Sequence, residues 1–147
     1  MTHDPAAHLA PELRSLALVA LAASLMWIPY LLARVARHGV WAALANPPEA
    51  PLPLPAWAER AQRAHANAVE NIAVFAPLVL IASCIDAADL TTVRATQVYL
   101  VSRLVHYGTY TLGIPVARTL AFLCGFAATA VVAGRIFGLA VAANAAR

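Results

Sequence analysis

Lysine is absent from the chain. All ten of its basic side chains are arginine, acids number seven, and charged residues fill only 12% of 147 positions. An ordinary soluble domain carries roughly twice that share, and a chain that is 62% hydrophobic is too oily to fold with its surface in water. No basic block exists either. The arginines stand singly beside apolar runs, which argues against a nucleic-acid partner, whose phosphates select a clustered basic surface. Cysteine is scarce: Cys84 and Cys124 lack any CxxC or Cys/His spacing, so no metal site is expected, and each is expected to pack inside its apolar run. A positively charged leader is missing too. Asp4 and Glu12 precede the first apolar run and Arg14 is its one basic flank, so that run is expected to stay as a membrane span. Abundant alanine and arginine without lysine is the usage of a GC-rich bacterial genome, so a bacterial inner membrane is the expected location.

What is present is a set of long apolar segments, read as one all-α transmembrane domain over 1–147. Leu16 to Ala33 is uncharged and with its flanks reaches the roughly 20 residues that a helix needs to cross hydrocarbon. The first span is expected over 13–37, with Pro29 kinking it unless neighbouring groups satisfy the freed carbonyl. Asn46 to Pro55, with five prolines in ten positions, is the principal loop. A second helix is expected over 56–85, although only Ile72 to Ile85 lacks strongly polar residues, so its polar first half must enter the membrane boundary. Asp86 to Asp89 makes a turn, a third helix follows over 91–112, Gly113 and Pro115 end it, and a fourth runs over 116–143.

Four spans put both termini on one side and the first and third loops on the other. Arg34, Arg37, Arg60, Arg63 and Arg118 gather at those two loops, so the loops are expected to be cytoplasmic and the termini outside. Five arginines there exceed the nearby intramembrane acid, Glu70, and such a surplus suits an anionic ligand bearing carboxylates, which arginine binds through paired hydrogen bonds.

Two polar stripes could line such a site. Arg60, Arg63, Asn67, Glu70 and Asn71 fall within an arc of about 100° on the second helix, with Gln62 and His65 pointing elsewhere. Tyr99, Arg103, His106, Tyr107 and Tyr110 share one face of the third. In one reading the stripes satisfy each other, with Glu70 paired to Arg63 or Arg103 and pinning helix packing; in the other they hold a ligand, since intramembrane ionisable groups are functional by default.

These residues resemble the family of membrane-associated proteins in eicosanoid and glutathione metabolism. Arg63, Ala64, His65, Asn67, Glu70 and Asn71 reproduce an Arg-Ala-His-x-Asn-x-x-Glu-Asn string. Arg103, His106 and Tyr110 follow, then Arg118, Leu120, Phe122 and Gly125, while Arg34, Arg37, Asn46, Pro47 and Glu49 form a weaker third pattern. The likeness is greatest to the microsomal glutathione transferase 1 branch, although Gln62 stands where that branch tends to have another arginine. His106 occupies a tyrosine position of the leukotriene synthase branch, so leukotriene synthesis is not expected.

The resemblance implies a homotrimer of four-helix subunits that binds glutathione between neighbours on the cytoplasmic side. By position, Arg63, His65, Asn67, Glu70, Tyr110 and Arg118 would hold the tripeptide, with Arg37, Arg60, Asn71, Arg103, His106 and Tyr107 in support. Arg34 would favour the thiolate over the thiol. The implied activity is detoxifying: conjugation of glutathione to small hydrophobic electrophiles, or reduction of lipid hydroperoxides, without a metal. A non-catalytic lipid- or ligand-binding member of the same fold is an alternative, and a small exporter cycling protons on Glu70 is another.

Away from the stripes, Trp27, Trp41 and Trp57 are expected at the headgroup level. Arg135 is expected to snorkel to the outer interface. Gly125 and Gly134 are expected to permit close helix approach, and His3, His8 and His38 to be solvated.

Overall fold

The computed structural model describes residues 9–46 and 53–145, with side chains described up to residue 138. His3, His8, Pro47 and Glu49 lie outside the described residues. Among the described residues six helices follow in order: α1 (Pro11–Leu25), α2 (Ile28–His38), α3 (Val40–Leu44), α4 (Ala56–Cys84), α5 (Leu90–Leu112) and α6 (Pro115–Ala145). Among the described residues there are no strands. Together α1 and α2 make one rod, so the architecture is four long rods.

The first rod breaks at Met26 and Trp27, just ahead of Pro29, whose ring removes a backbone donor. One carbonyl at the break, that of Met26, accepts a hydrogen bond from the Tyr107 hydroxyl of α5 at 2.9 Å. A neighbouring helix thus satisfies the backbone that the proline disturbs. After the break α2 packs on α4 and α3, whereas α1 packs on α4 and α5. The short α3 was not expected from sequence, and it carries Trp41 86% exposed.

Caps fix the ends of α5. The Asp89 carboxylate accepts the Thr92 amide at 3.0 Å, and Gly113 closes the helix in the left-handed region at φ 79°, where a side chain would be strained. Pro115 opens α6 rather than ending α5, as suits a residue with no amide hydrogen to lose in a first turn.

Three rods, Pro11–His38, Ala56–Cys84 and Pro115–Gly138, are long and apolar enough to cross a membrane. At 23 residues α5 spans about 35 Å but is too polar to qualify alone. Five of its polar side chains face inward: Thr92, Thr96, Ser102, Arg103 and His106 are buried, while Arg94 and Gln97 near its start are exposed, as are Val98, Val101, Leu104 and Val105. Thr96 and Ser102 donate to carbonyls of their own helix, which satisfies them without a partner helix. The core is Leu16, Val19, Phe75, Val79, Tyr99 and Val132 with small residues between, and the Phe75 and Tyr99 rings stack at 3.6 Å.

Several sequence expectations are corrected. Cys84 and Cys124 are exposed rather than packed, because both stand on outward faces, and hydrocarbon solvates such faces in a membrane. Arg135 does not snorkel free; it pairs with Asp89 at 2.6 Å, which ties α6 to the start of α5. Gly125 admits the Arg103 guanidinium rather than a helix backbone, and nothing lies within 4 Å of a side chain added at Gly134. His38 is half-buried, its Nε2 covered.

Candidate functional site

Most of the residues singled out by sequence collect at one end of the bundle, where α2 ends, α4 begins, α5 ends and α6 begins, with Glu70, Tyr99 and Arg103 nearer the middle of their helices. Alanine sets the spacing there: Ala58, Ala61, Ala64 and Ala68 form the buried edge of α4, and their small side chains let the rods approach closely. The opposite edge of the same turns is therefore turned out.

Arg63 and Glu70 stand on that outward face. Both are exposed. Arg63 lies 3.9 Å from Glu59, its side chain 69% accessible, and neither ion pair among the described residues involves Glu70. The two stripes therefore do not satisfy each other through Glu70: Tyr99, Arg103 and His106 of α5 face in, whereas Arg63 and Glu70 of α4 face out. Glu59, Gln62, Arg63 and Ala66 line an open depression of about 450 Å³. Asn67 sits at the edge of this face, half-buried, its main-chain carbonyl accepting from the Asn71 side chain at 2.8 Å. Its own Oδ1 is buried with no donor.

Flanking this face, Tyr30 and His65 share a 2.9 Å hydrogen bond between α2 and α4. Arg34, one turn beyond Tyr30, is half-buried, and Arg37 is exposed. Arg60 turns the other way, its Nε donating to the Thr111 carbonyl at 3.0 Å, so this arginine serves the end of α5.

A second cluster joins α5 to α6. His106 is buried and its Nδ1 donates to the Arg118 carbonyl at 2.8 Å. Arg118 lies over the Tyr110 ring at 4.6 Å, a cation–π arrangement, and Tyr110 meets His106 edge-on. Arg103, one turn deeper, is sealed between the rings of Tyr99 and Phe122. Sequence reasoning missed Tyr30 and Thr111, the partners of His65 and Arg60, because a helical period reveals faces but not which distant residue meets them. The depression at Arg63 is lined by Glu59, Gln62 and Ala66 and not by Arg34, Glu70 or Tyr110.

Long apolar rods, with Arg103 and His106 buried in α5 while its valines and leucines face out, define a polytopic helical membrane protein. A family model, the MAPEG family, matches residues 15–138. The chain belongs to that family. No curated protein and no solved structure matches it.

Proposed function

We propose that the chain is a membrane glutathione transferase or peroxidase whose active site forms between copies in a homotrimer. The observation that carries this reading is the outward charge on α4. Glu70 lies fourteen residues from the end of α4 at Cys84, about 21 Å along the axis, so with Cys84 at one boundary of a hydrocarbon layer of about 30 Å this carboxylate falls within the layer. An exposed carboxylate at that depth is costly against lipid, and another copy of the chain with a polar ligand would cover it.

The donor set suits glutathione, a peptide with two carboxylates, an ammonium group and a thiol. Arg63 and Arg118 supply donors for carboxylates, and Glu70 an acceptor for ammonium; Asn67 stands at the edge of the same face. Tyr110 and His65 border these groups. Arg34 would stand by the sulfur, where its charge lowers the thiol pKa from about 8.5 toward neutrality. The thiolate attacks an electrophilic carbon, a carbon–sulfur bond forms and the leaving group departs with the bonding pair. With a hydroperoxide the thiolate attacks the terminal oxygen, the O–O bond breaks and the alkoxide leaves and is protonated to the alcohol; a second glutathione thiol then displaces water from the resulting sulfenic acid to give the disulfide.

The apolar partner would arrive through lipid. A groove of about 580 Å³ between α5 and α6, lined by Val98, Val101, Val105, Ala117, Leu120 and Cys124, reaches the residue before Arg118. The same groove favours the second reading, a ligand-binding member of the fold without turnover. An exporter cycling protons on Glu70 fits less well, because that carboxylate stands outside the bundle of the single chain.

Calorimetric titration of glutathione into the detergent-solubilised protein tests binding: saturable heat is expected for the parent, and a loss of at least tenfold in affinity for Arg63→Ala and Glu70→Ala. Thiolate absorbance on adding glutathione, present in the parent and lost in Arg34→Ala, separates catalysis from binding alone. Absence of both signals in the parent refutes the proposal.

A further inference from the structure

The outer side of the seam between α5 and α6 is a long trough. The groove of about 580 Å³ already described is continuous with a second of about 340 Å³, since Val98 and Cys124 line both. Small residues of α6 make it concave. Ala117, Ala121, Cys124 and Ala128 recur at intervals of three and four, one edge of a helix, and their short side chains leave a gap that Val98, Val101 and Val105 of α5 border while staying exposed themselves.

Polarity changes along the trough. Thr91, Arg94 and Gln97 stand on its wall at the start of α5, and beyond them the wall is apolar save for Ser102, whose hydroxyl donates to the Tyr99 carbonyl. Arg94 is the one charged residue among the described residues that line either part, and no acid is among them. Side chains of a helix lean toward its start, so the exposed Arg94 carries its guanidinium to the headgroup level while its methylenes stay against the trough.

Length selects the occupant. From Arg94 to Val105 is eleven residues, about 16 Å of helix, and one leaflet is half of a hydrocarbon layer of about 30 Å. A single acyl chain headed at Arg94 therefore runs out where the trough does. A free anion would not use the apolar part and an uncharged oil would not use Arg94; a lipid with an anionic phosphodiester head uses both. A zwitterionic head brings a cation as well, for which the trough offers no acid.

We propose that the trough holds one anionic phospholipid of the leaflet at the start of α5, its phosphate on Arg94 and one acyl chain along Val98, Val101 and Val105 down to Leu120. Near Ala117 the methyl end of the chain meets the place proposed for the electrophile, and the two exchange there. The lipid site itself does not depend on glutathione chemistry, and its test reads no activity.

Native mass spectrometry of the purified full chain in detergent, titrated with phosphatidylglycerol or phosphatidylcholine of matched acyl chains, reads occupancy directly. One phosphatidylglycerol per chain is expected, held about fivefold more tightly than phosphatidylcholine. Arg94→Gln should abolish that preference, whereas Arg14→Gln, at an exposed arginine near the same end that does not line the trough, should keep it. Val101→Trp should lower occupancy by both lipids, since the indole would fill the trough. All three positions are exposed, so each variant is expected to fold. Equal occupancy by the two lipids, an Arg14→Gln effect as large as that of Arg94→Gln, undiminished binding to Val101→Trp, or a parent that keeps no lipid because a second copy covers the trough overturns the proposal.

Discussion

Replacing Gly125 by alanine should destabilise the protein even though alanine is the better helix former. A Cβ at Gly125 would stand 2.8 Å from Cζ and Nε of Arg103 and closer still to Nη2. The guanidinium would have to leave its place between Tyr99 and Phe122, and at 3% exposure it has no solvent to turn into. Overpacking of this kind costs about 1–3 kcal/mol, and loss of desolvated cation–π contacts about 1–2 kcal/mol more. Better helix propensity returns about 1 kcal/mol, so a net loss of about 1–4 kcal/mol is expected. Gly134→Ala and Gly138→Ala are the controls, because a Cβ at either meets nothing within 4 Å; they should be neutral or slightly stabilising. The assay is chemical or thermal unfolding in detergent, followed by circular dichroism. Adding Arg103→Leu to Gly125→Ala should remove most of the cost of the alanine, since the clash partner is gone. A Gly125→Ala protein as stable as Gly134→Ala would refute the reasoning.

Two further outcomes follow from groups outside the proposed site. Asp89 caps α5, and the Thr92 amide, helped by Arg135, holds its carboxyl below the ordinary value. The unfolded chain therefore takes up this proton first, so the stabilisation is present above the usual carboxylate range near about 3.9 and is lost as pH falls through the depressed value. Melting midpoints measured down an acid series should show that loss in the parent, and Asp89→Asn should flatten that part of the profile. Tyr107→Phe leaves the Met26 carbonyl without its donor, and should cost about 0.5–1.5 kcal/mol. Amide exchange should then quicken around Met26 and Trp27 more than in α6; uniform exchange across the chain would refute the role given to Tyr107.

Some of this was legible in residues alone. The expected helix over 56–85 runs Ala56–Cys84 and that over 91–112 runs Leu90–Leu112, because prolines, Gly113 and the Asp89 cap act through their own neighbours. The kink ahead of Pro29 follows from one missing amide hydrogen. Membership of the family was legible too, since strings such as Arg63 to Asn71 survive without any knowledge of packing.

Rotation of the rods about their axes was decided only by the tertiary structure. Helical period grouped Arg63 with Glu70 and Arg103 with His106, yet it did not say that the first pair faces out while the second faces in. In water, apolar residues would mark the inward face; in hydrocarbon the outside is as apolar as the core, so that signal is lost. The sealing of Arg103 over Gly125, the Asp89–Arg135 pair and the exposure of both cysteines each depend on side chains far apart in the chain being brought together, or kept apart, by close packing on small residues.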